Sequence, residues 1–248
     1  MDARRARLWD RLGLGPVWTT RRPPGGGQAD GEELAPELPG QRRGGAVDGM
    51  DWDRLEQAVA GCTLCGLCKT RTNTVFGVGS RSSGWMVIGE APGAEEDLRG
   101  EPFVGQAGRL LDNVLAAAGL GRGAAGRSAV YIANVVKCRP PGNRNPEPDE
   151  VARCEPYLMR QIELLRPRVI LLMGRVAAQA ILGTEASIAS LRSHAHRIDV
   201  AGASVPVIVT YHPAYLLRNL ADKAKVWADL CLAREVFERA SRSPGTSA

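Results

Sequence analysis

Three polar residues stand where apolar runs of the chain come to an end. Glu90 follows residues 85–89, Asn134 lies near the close of residues 129–136, and His212 follows residues 205–210. A carboxylate, an amide and an imidazole together can manage protons, read a hydrogen-bonding edge and stabilise developing charge. If the three runs are parallel strands, all three residues project toward one rim of a sheet, where open α/β folds bind their ligands. Each residue alone has a plainer explanation. Asn134 can cap a backbone group, and His212 can be a surface loop residue. Glu90 opens a Gly-Glu-Ala-Pro-Gly turn with Glu95, Glu96 and Asp97 close behind, which reads equally well as a strand-to-helix connection with solvated acids. Beyond it, Phe103 stands as an aromatic within a Pro/Gly frame.

The cysteines offer a second chemistry. Cys62 and Cys65 form a C-x2-C pair, and Cys138 and Cys154 lie sixteen positions apart beyond a long insertion. Four thiolates of this kind hold zinc or a [4Fe–4S] cluster, and spacing does not choose between them. The alternative is that Cys138 and Cys154 are simply buried apolar side chains. Cys68 repeats the C-x2-C spacing with Cys65 and rivals it. Cys231, beside Leu230, is expected in the core, and His194 and His196 at the surface.

The elements that must position these residues alternate. Helices are expected over residues 51–59, 106–115, 149–154, 156–165, 176–182 and 221–239, with a break at Pro156, since proline suits a first helical position better than an interior one. Strands are expected over 85–89, 129–136, 168–174 and 205–210, with a short one near Ile198. This order implies a mostly parallel sheet with helices on both faces. Residues 1 to about 50 differ. Their Arg-Pro-Gly-rich stretches cannot bury enough apolar surface to order themselves, so a disordered extension is expected there, with a folded domain over 51–240 and a short tail over 241–248. Eight Arg against seven Asp plus Glu nearly cancel in the first fifty residues, so the excess positive charge belongs to the body.

The 248 residues carry a formal charge of +5 and a sequence pI of about 9.1, which favours a polyanionic partner. No run of eighteen apolar residues exists, so no membrane span is expected. The basic start lacks a following apolar stretch and does not read as a secretory signal. The chain is therefore expected in the cytoplasm, associated with the nucleoid. Cysteines in such a compartment serve metals more readily than disulfides.

Gly89-Glu90-Ala91-Pro92-Gly93, Pro102-Phe103-Val104-Gly105, Asn134-Val135-Val136-Lys137-Cys138-Arg139-Pro140-Pro141 and His212-Pro213-Ala214-Tyr215-Leu216-Leu217-Arg218 together resemble the iron–sulfur, family 4 uracil-DNA glycosylases, from about Asp51 to Arg239. The resemblance implies a three-layer α/β/α sandwich with a four-stranded, mainly parallel sheet, and a [4Fe–4S] cluster on Cys62, Cys65, Cys138 and Cys154, leaving Cys68 spare. It implies a base-excision repair hydrolase that cleaves the N-glycosidic bond of deoxyuridine in DNA. Its uracil site falls on Gly89, Glu90, Ala91, Phe103, Asn134 and His212, with Glu90 and His212 catalytic. Arg144, Tyr215, Leu216 and Arg218 are expected to meet the DNA, Tyr215 and Leu216 filling the gap left by the extruded base. A monomer is expected, with replication or repair partners reached through the N-terminal extension.

Two rivals carry different chemistry. One is a catalytically weak, polymerase-associated DNA-binding factor of the same fold, against which Glu90, Asn134 and His212 argue together. The other is a zinc-stabilised nucleotide hydrolase, which suits the acidic loop but not the basic body or the His-Pro-Ala-Tyr loop.

Overall fold

The computed structural model of the chain describes residues 47–242. The expectations for residues 1–46 and for the tail 243–248 lie outside them. In chain order the elements are α1 (Trp52–Ala60), β1 (Val78–Gly79), β2 (Trp85–Gly89), α2 (Ala94–Arg99), α3 (Gln106–Ala117), β3 (Val130–Asn134), α4 (Pro148–Leu165) and β4 (Val169–Met173). They continue as α5 (Arg175–Leu182), α6 (Ile188–Leu191), β5 (Ala195–Val200), β6 (Ala203–Thr210), α7 (Pro213–Leu216) and α8 (Lys223–Arg242).

The sheet has the order β1-β3-β2-β4-β6-β5. Its four inner strands are parallel, with Gly89 opposite Asn134 and Met173 opposite Thr210. These are the four strands expected from the apolar runs. Two antiparallel edge strands extend the sheet to six. One of them, β5, is the short strand expected near Ile198, while β1, two residues long, left no apolar run to find.

The inner strands are buried along both faces, as a sheet covered on each side requires. The period of two sorts their residues. Met86, Ile88, Ala133, Ile170, Leu172, Val207 and Val209 face one layer with Leu158 and Ile162 of α4 and Ala177 and Ala178 of α5. Trp85, Val87, Val130, Ile132, Leu171 and Ile208 face the other, with Leu111 and Leu115 of α3 and Leu230, Ala233 and Phe237 of α8. Helix, sheet and helix make three layers.

The expected helix break at Pro156 does not occur: α4 runs through it. Ala152 and Pro156 both lie on the exposed side, so water can take the carbonyl that proline leaves unpaired. Tyr157, Leu158, Gln161, Ile162 and Leu165 bury the other side and hold the helix together. Cys231 is likewise exposed rather than in the core. The buried stripe of α8 runs through Val226, Leu230, Ala233 and Phe237, and one residue past Leu230 turns about 100° away from it.

Candidate active site and cysteine cavity

Strand β2 delivers Gly89 and Glu90 to the carboxyl rim. A Cβ on Gly89 would stand 2.5 Å from both Asn134 Oδ1 and Phe103 Cζ. The three residues therefore converge on one point, and only glycine fits there. Glu90 is half-buried, and burial raises its carboxyl pKa while the Arg175 guanidinium acts against the rise.

The acids behind Glu90 have separate positions. Glu96 accepts hydrogen bonds from the backbone N–H groups of Gly93, Val104 and Gly105 at 3.0–3.1 Å. Asp97 is buried and accepts from the N–H groups of Thr72 and Asn73. Glu95 is exposed. Glu96 thus binds the turn at Gly93 to the segment that carries Phe103, and Asp97 binds it to the chain before β1.

Phe103 is buried and has a φ of 56°, a conformation that costs a bulky side chain roughly 1–3 kcal/mol. The cost is met by surrounding contacts. Arg122 donates to the Pro102 carbonyl at 2.8 Å and to the Phe103 carbonyl at 2.9 Å, while Asp112 and Glu101 hold its guanidinium. Gly108 packs directly beneath the Phe103 carbonyl, where a Cβ has no room. Nothing in the sequence near Phe103 points to Arg122, which lies nineteen positions on.

Asn134 ends β3 and is 2 % exposed. Its Oδ1 is buried with no hydrogen-bond partner among the described residues, a condition that buried polar atoms rarely tolerate without a reason. Behind it, Lys137 is wholly buried, and its Nζ donates to the Asn134 carbonyl at 2.8 Å and to Gln161 Oε1 at 2.6 Å. Burial pushes the Lys137 pKa down to about 8, with the Cys154 thiol opposing the shift.

His212 caps the N-terminus of α7, and its Nδ1 accepts from the Ala214 N–H at 3.2 Å. That places the proton of the neutral ring on Nε2. Protein atoms crowd the ring and lower its pKa to about 4; Glu96 opposes this and Arg218 adds to it. The ring lies 5.5 Å from that of Phe103, centroid to centroid. Gly174, at φ 92°, passes close behind, 3.1 Å from the His212 Cβ if it carried a Cβ of its own. The strand below is gripped by Asp229, which accepts from Thr210 Oγ1 and from Arg192 Nε at 2.7 Å each. This buried pair also went unseen in the sequence, because its members lie 37 positions apart in unremarkable contexts.

Glu90, Asn134 and His212 do therefore reach one rim, with Gly89 and Phe103 between them. The half-buried Ala91 follows directly in the first loop. The expected DNA contacts fare differently. Arg218 is exposed. Tyr215 is partly open, stacks on Tyr211 and donates its hydroxyl to Asp222 at 2.6 Å. Leu216 is 1 % exposed, so it cannot be the surface wedge expected of it; α7 turns it inward, and its partly exposed neighbour is Leu217. Nor does Arg144 offer a free guanidinium. Its two Nη atoms pair with the Glu150 carboxylate at 2.9 and 2.7 Å.

Cys62, Cys65, Cys68, Cys138 and Cys154 line one cavity together with Arg71, Lys137, Glu150 and Tyr157. Arg71 Nη1 donates to Cys138 Sγ at 3.0 Å, and the Lys137 N–H donates to Cys154 Sγ at 3.3 Å. Burial raises the Cys138 pKa, with Arg71 opposing, and pushes the Cys154 thiol up to about 11, with Lys137 opposing. The two cysteines far apart in sequence from the C-x2-C loop thus share its cavity, and Cys138 also packs into the apolar layer beside α4.

Residues 76–231 match the family described as the uracil DNA glycosylase superfamily. A type-4 uracil-DNA glycosylase of Archaeoglobus fulgidus is 46 % identical over 169 residues, covering 66 % of this chain and 82 % of that one. One of Pyrobaculum aerophilum is 42 % identical over 187 residues, covering 74 % and 93 %. One of Thermotoga maritima is 43 % identical over 172 residues, covering 69 % and 85 %.

Proposed function

The chain belongs to the uracil-DNA glycosylase superfamily, among its type-4 members, and from that membership we propose that its crevice hydrolyses the N-glycosidic bond of deoxyuridine in DNA, releasing uracil and leaving an abasic site. The observation that carries the reading is the unpartnered Oδ1 of buried Asn134 beside Gly89 and Phe103. An acceptor kept dry and unpaired is completed by a donor on the ligand, and uracil N3–H is such a donor. Cytosine carries a lone pair at that position, and leaving the site's buried polar group unpaired costs about 1–3 kcal/mol.

The base must leave the stack to be reached. Phe103 gives it a face to lie on, worth roughly 1–3 kcal/mol. Water adds to C1′ as the C1′–N1 bond breaks. The bonding pair leaves on uracil N1, and the water's proton passes to solvent. His212 is neutral near pH 7 and donates Nε2–H to uracil O2, where negative charge develops. Glu90 holds the water, and its charge favours the oxocarbenium-like sugar. Arg218 and Tyr215 meet the DNA backbone on the His212 side.

The donor set of the cysteine cavity fits a [4Fe–4S] cluster. Cysteines of the 62–68 loop, the segment after β3 and α4 line it together, a guanidinium and a backbone N–H donate to two of their sulfurs, and the ammonium of Lys137 has no carboxylate partner among the described residues. Such donors offset the negative charge that thiolates bring. Cys62, Cys65, Cys138 and Cys154 would hold the cluster, with Cys68 spare. When bound, it supplies a structural tie between the 62–71 loop and the segments after β3.

A duplex carrying a single uracil tests the activity: the treated strand becomes alkali-labile at that position. A strand left intact by protein that is folded and iron-loaded overturns the reading.

A further inference from the structure

Lys137 lines the cysteine cavity and reaches from it toward the crevice. It follows Asn134 by three residues, and its side chain folds back so that Nζ meets the Asn134 carbonyl at 2.8 Å. Its second acceptor, Gln161 Oε1, is itself fixed, because Gln161 Nε2 donates to the Phe76 carbonyl at 3.0 Å and to Tyr131 Oη at 3.1 Å. Its own N–H is bound to Cys154 Sγ, and its neighbour Cys138 is held by Arg71. One residue thus joins the cysteine cavity, the buried face of α4 and the end of β3.

A buried ammonium without a carboxylate partner is expensive, on the order of several kcal/mol before its hydrogen bonds are counted. Ordinary packing does not require it; an apolar side chain of the same length would fill the space. What it adds is direction. Asn134 stands at the last register position of β3, opposite Gly89. Beyond that point only the Val135 and Val136 N–H groups, bonded to the Gly89 and Glu90 carbonyls, continue the ladder. At this last strand position Lys137 Nζ takes up the Asn134 carbonyl. A fixed peptide plane fixes the side chain that springs from it, and a reading group must be held to within a fraction of an ångström.

We infer that Lys137 is a positioning residue for base recognition: by holding the Asn134 main chain from the cysteine side, it sets where the Asn134 amide meets the extruded base. The inference rests on Asn134 as the base reader. It makes the cysteine cavity a contributor to uracil affinity through a named pair of hydrogen bonds.

Free uracil and abasic-site DNA separate the roles, since the first needs the base pocket and the second does not. In Lys137→Met, competitive inhibition by free uracil should weaken by about 10–100-fold, as expected for a misplaced reading group. Affinity for an abasic duplex should stay within about twofold of the parent, given that DNA contacts elsewhere supply most of the binding. Tyr131→Phe, which loosens the same buried region but leaves both Lys137 Nζ bonds, should keep uracil inhibition near the parent value. Should Lys137→Met not fold, Lys137→Gln serves, with the same readouts. Parent-like uracil inhibition in a soluble Lys137 variant overturns the inference, as does an equal loss of uracil and abasic-DNA binding. Asn134→Ala is the control: if it retains full uracil inhibition and rate, the base-reader reading fails instead.

Discussion

The rings of Phe103 and His212 stand 5.5 Å apart, centroid to centroid, with planes 31° from parallel. One is held in a left-handed backbone conformation, the other at the cap of a four-residue helix. Neither sits on regular secondary structure, so their spacing depends on side chains that brace the two loops. On the proposed function, stacking surface and charge-stabilising donor form in this way a single geometric unit, and the bracing groups become as open to test as the rings themselves.

Arg122 is the brace on the Phe103 side. Arg122→Met should remove the hydrogen bonds to the Pro102 and Phe103 carbonyls and lower kcat/KM about 10-fold or more, as small displacements of positioned groups do. Stability should fall by roughly 1–3 kcal/mol, because two carbonyls lose a charged donor. Single-turnover kinetics alongside thermal melting checks both.

Gly89→Ala tests the convergence directly. The added methyl would meet Asn134 Oδ1 and Phe103 Cζ at 2.5 Å, and overpacking of this kind costs about 1–3 kcal/mol. The strand itself should survive, so the expected result is a folded protein whose rate on uracil falls at least tenfold, each 1.4 kcal/mol of lost transition-state binding being about tenfold. A rate equal to the parent's would show that the base does not lie between these residues.

The pH profile follows from two opposite shifts. His212 has its pKa lowered to about 4, so it is neutral throughout the range where an ordinary histidine titrates, and no inflection is expected near pH 6.5. Glu90 has its pKa raised, so its carboxylate is lost as pH falls through a value above the usual 4.5. kcat/KM should stay level from pH 8 downward and then decline on an acid limb that Glu90→Gln removes. His212→Ala should instead lower kcat at every pH, by roughly 10²–10³.

The proposed [4Fe–4S] cluster should make the parent protein brown with broad visible absorbance, which Cys138→Ala and Cys154→Ala should each abolish while lowering its melting temperature. Cys68→Ala should keep the colour. Stoichiometric zinc in a colourless parent protein would rule out the iron–sulfur assignment.

Salt dependence separates the arginines. Arg218 is exposed, and Arg218→Ala should reduce the slope of log K against log salt by about one. Arg144 is already paired with Glu150, so Arg144→Ala should leave that slope unchanged. Binding isotherms on a duplex at several salt concentrations measure both.

The rim of the sheet was legible because buried parallel strands are written as unbroken apolar runs, and Gly89, Asn134 and His212 are where those runs stop. The turn at Glu90 was legible by its composition. What lay hidden depends on how the folded elements turn and pair their side chains. Arg144 looks like a free cation until Glu150 is brought beneath it. Leu216 looks like a wedge until α7 turns it inward. Pro156 looks like a break until the buried face of α4 outweighs one missing hydrogen bond. Arg122, Lys137 and the Arg192–Asp229 pair carry no local signal, since a brace is defined only by what it touches.

The antiparallel hairpin of β5 and β6 turns at Ala201 and Gly202, both exposed, at the end of β6 opposite His212. A tether placed there would leave the rim that carries Glu90, Asn134 and His212 facing solution. Exposed loop tips tolerate insertion well, so a peptide tag between Ala201 and Gly202 could anchor the protein to a bead or sensor chip in one orientation, ready to scan passing DNA for uracil.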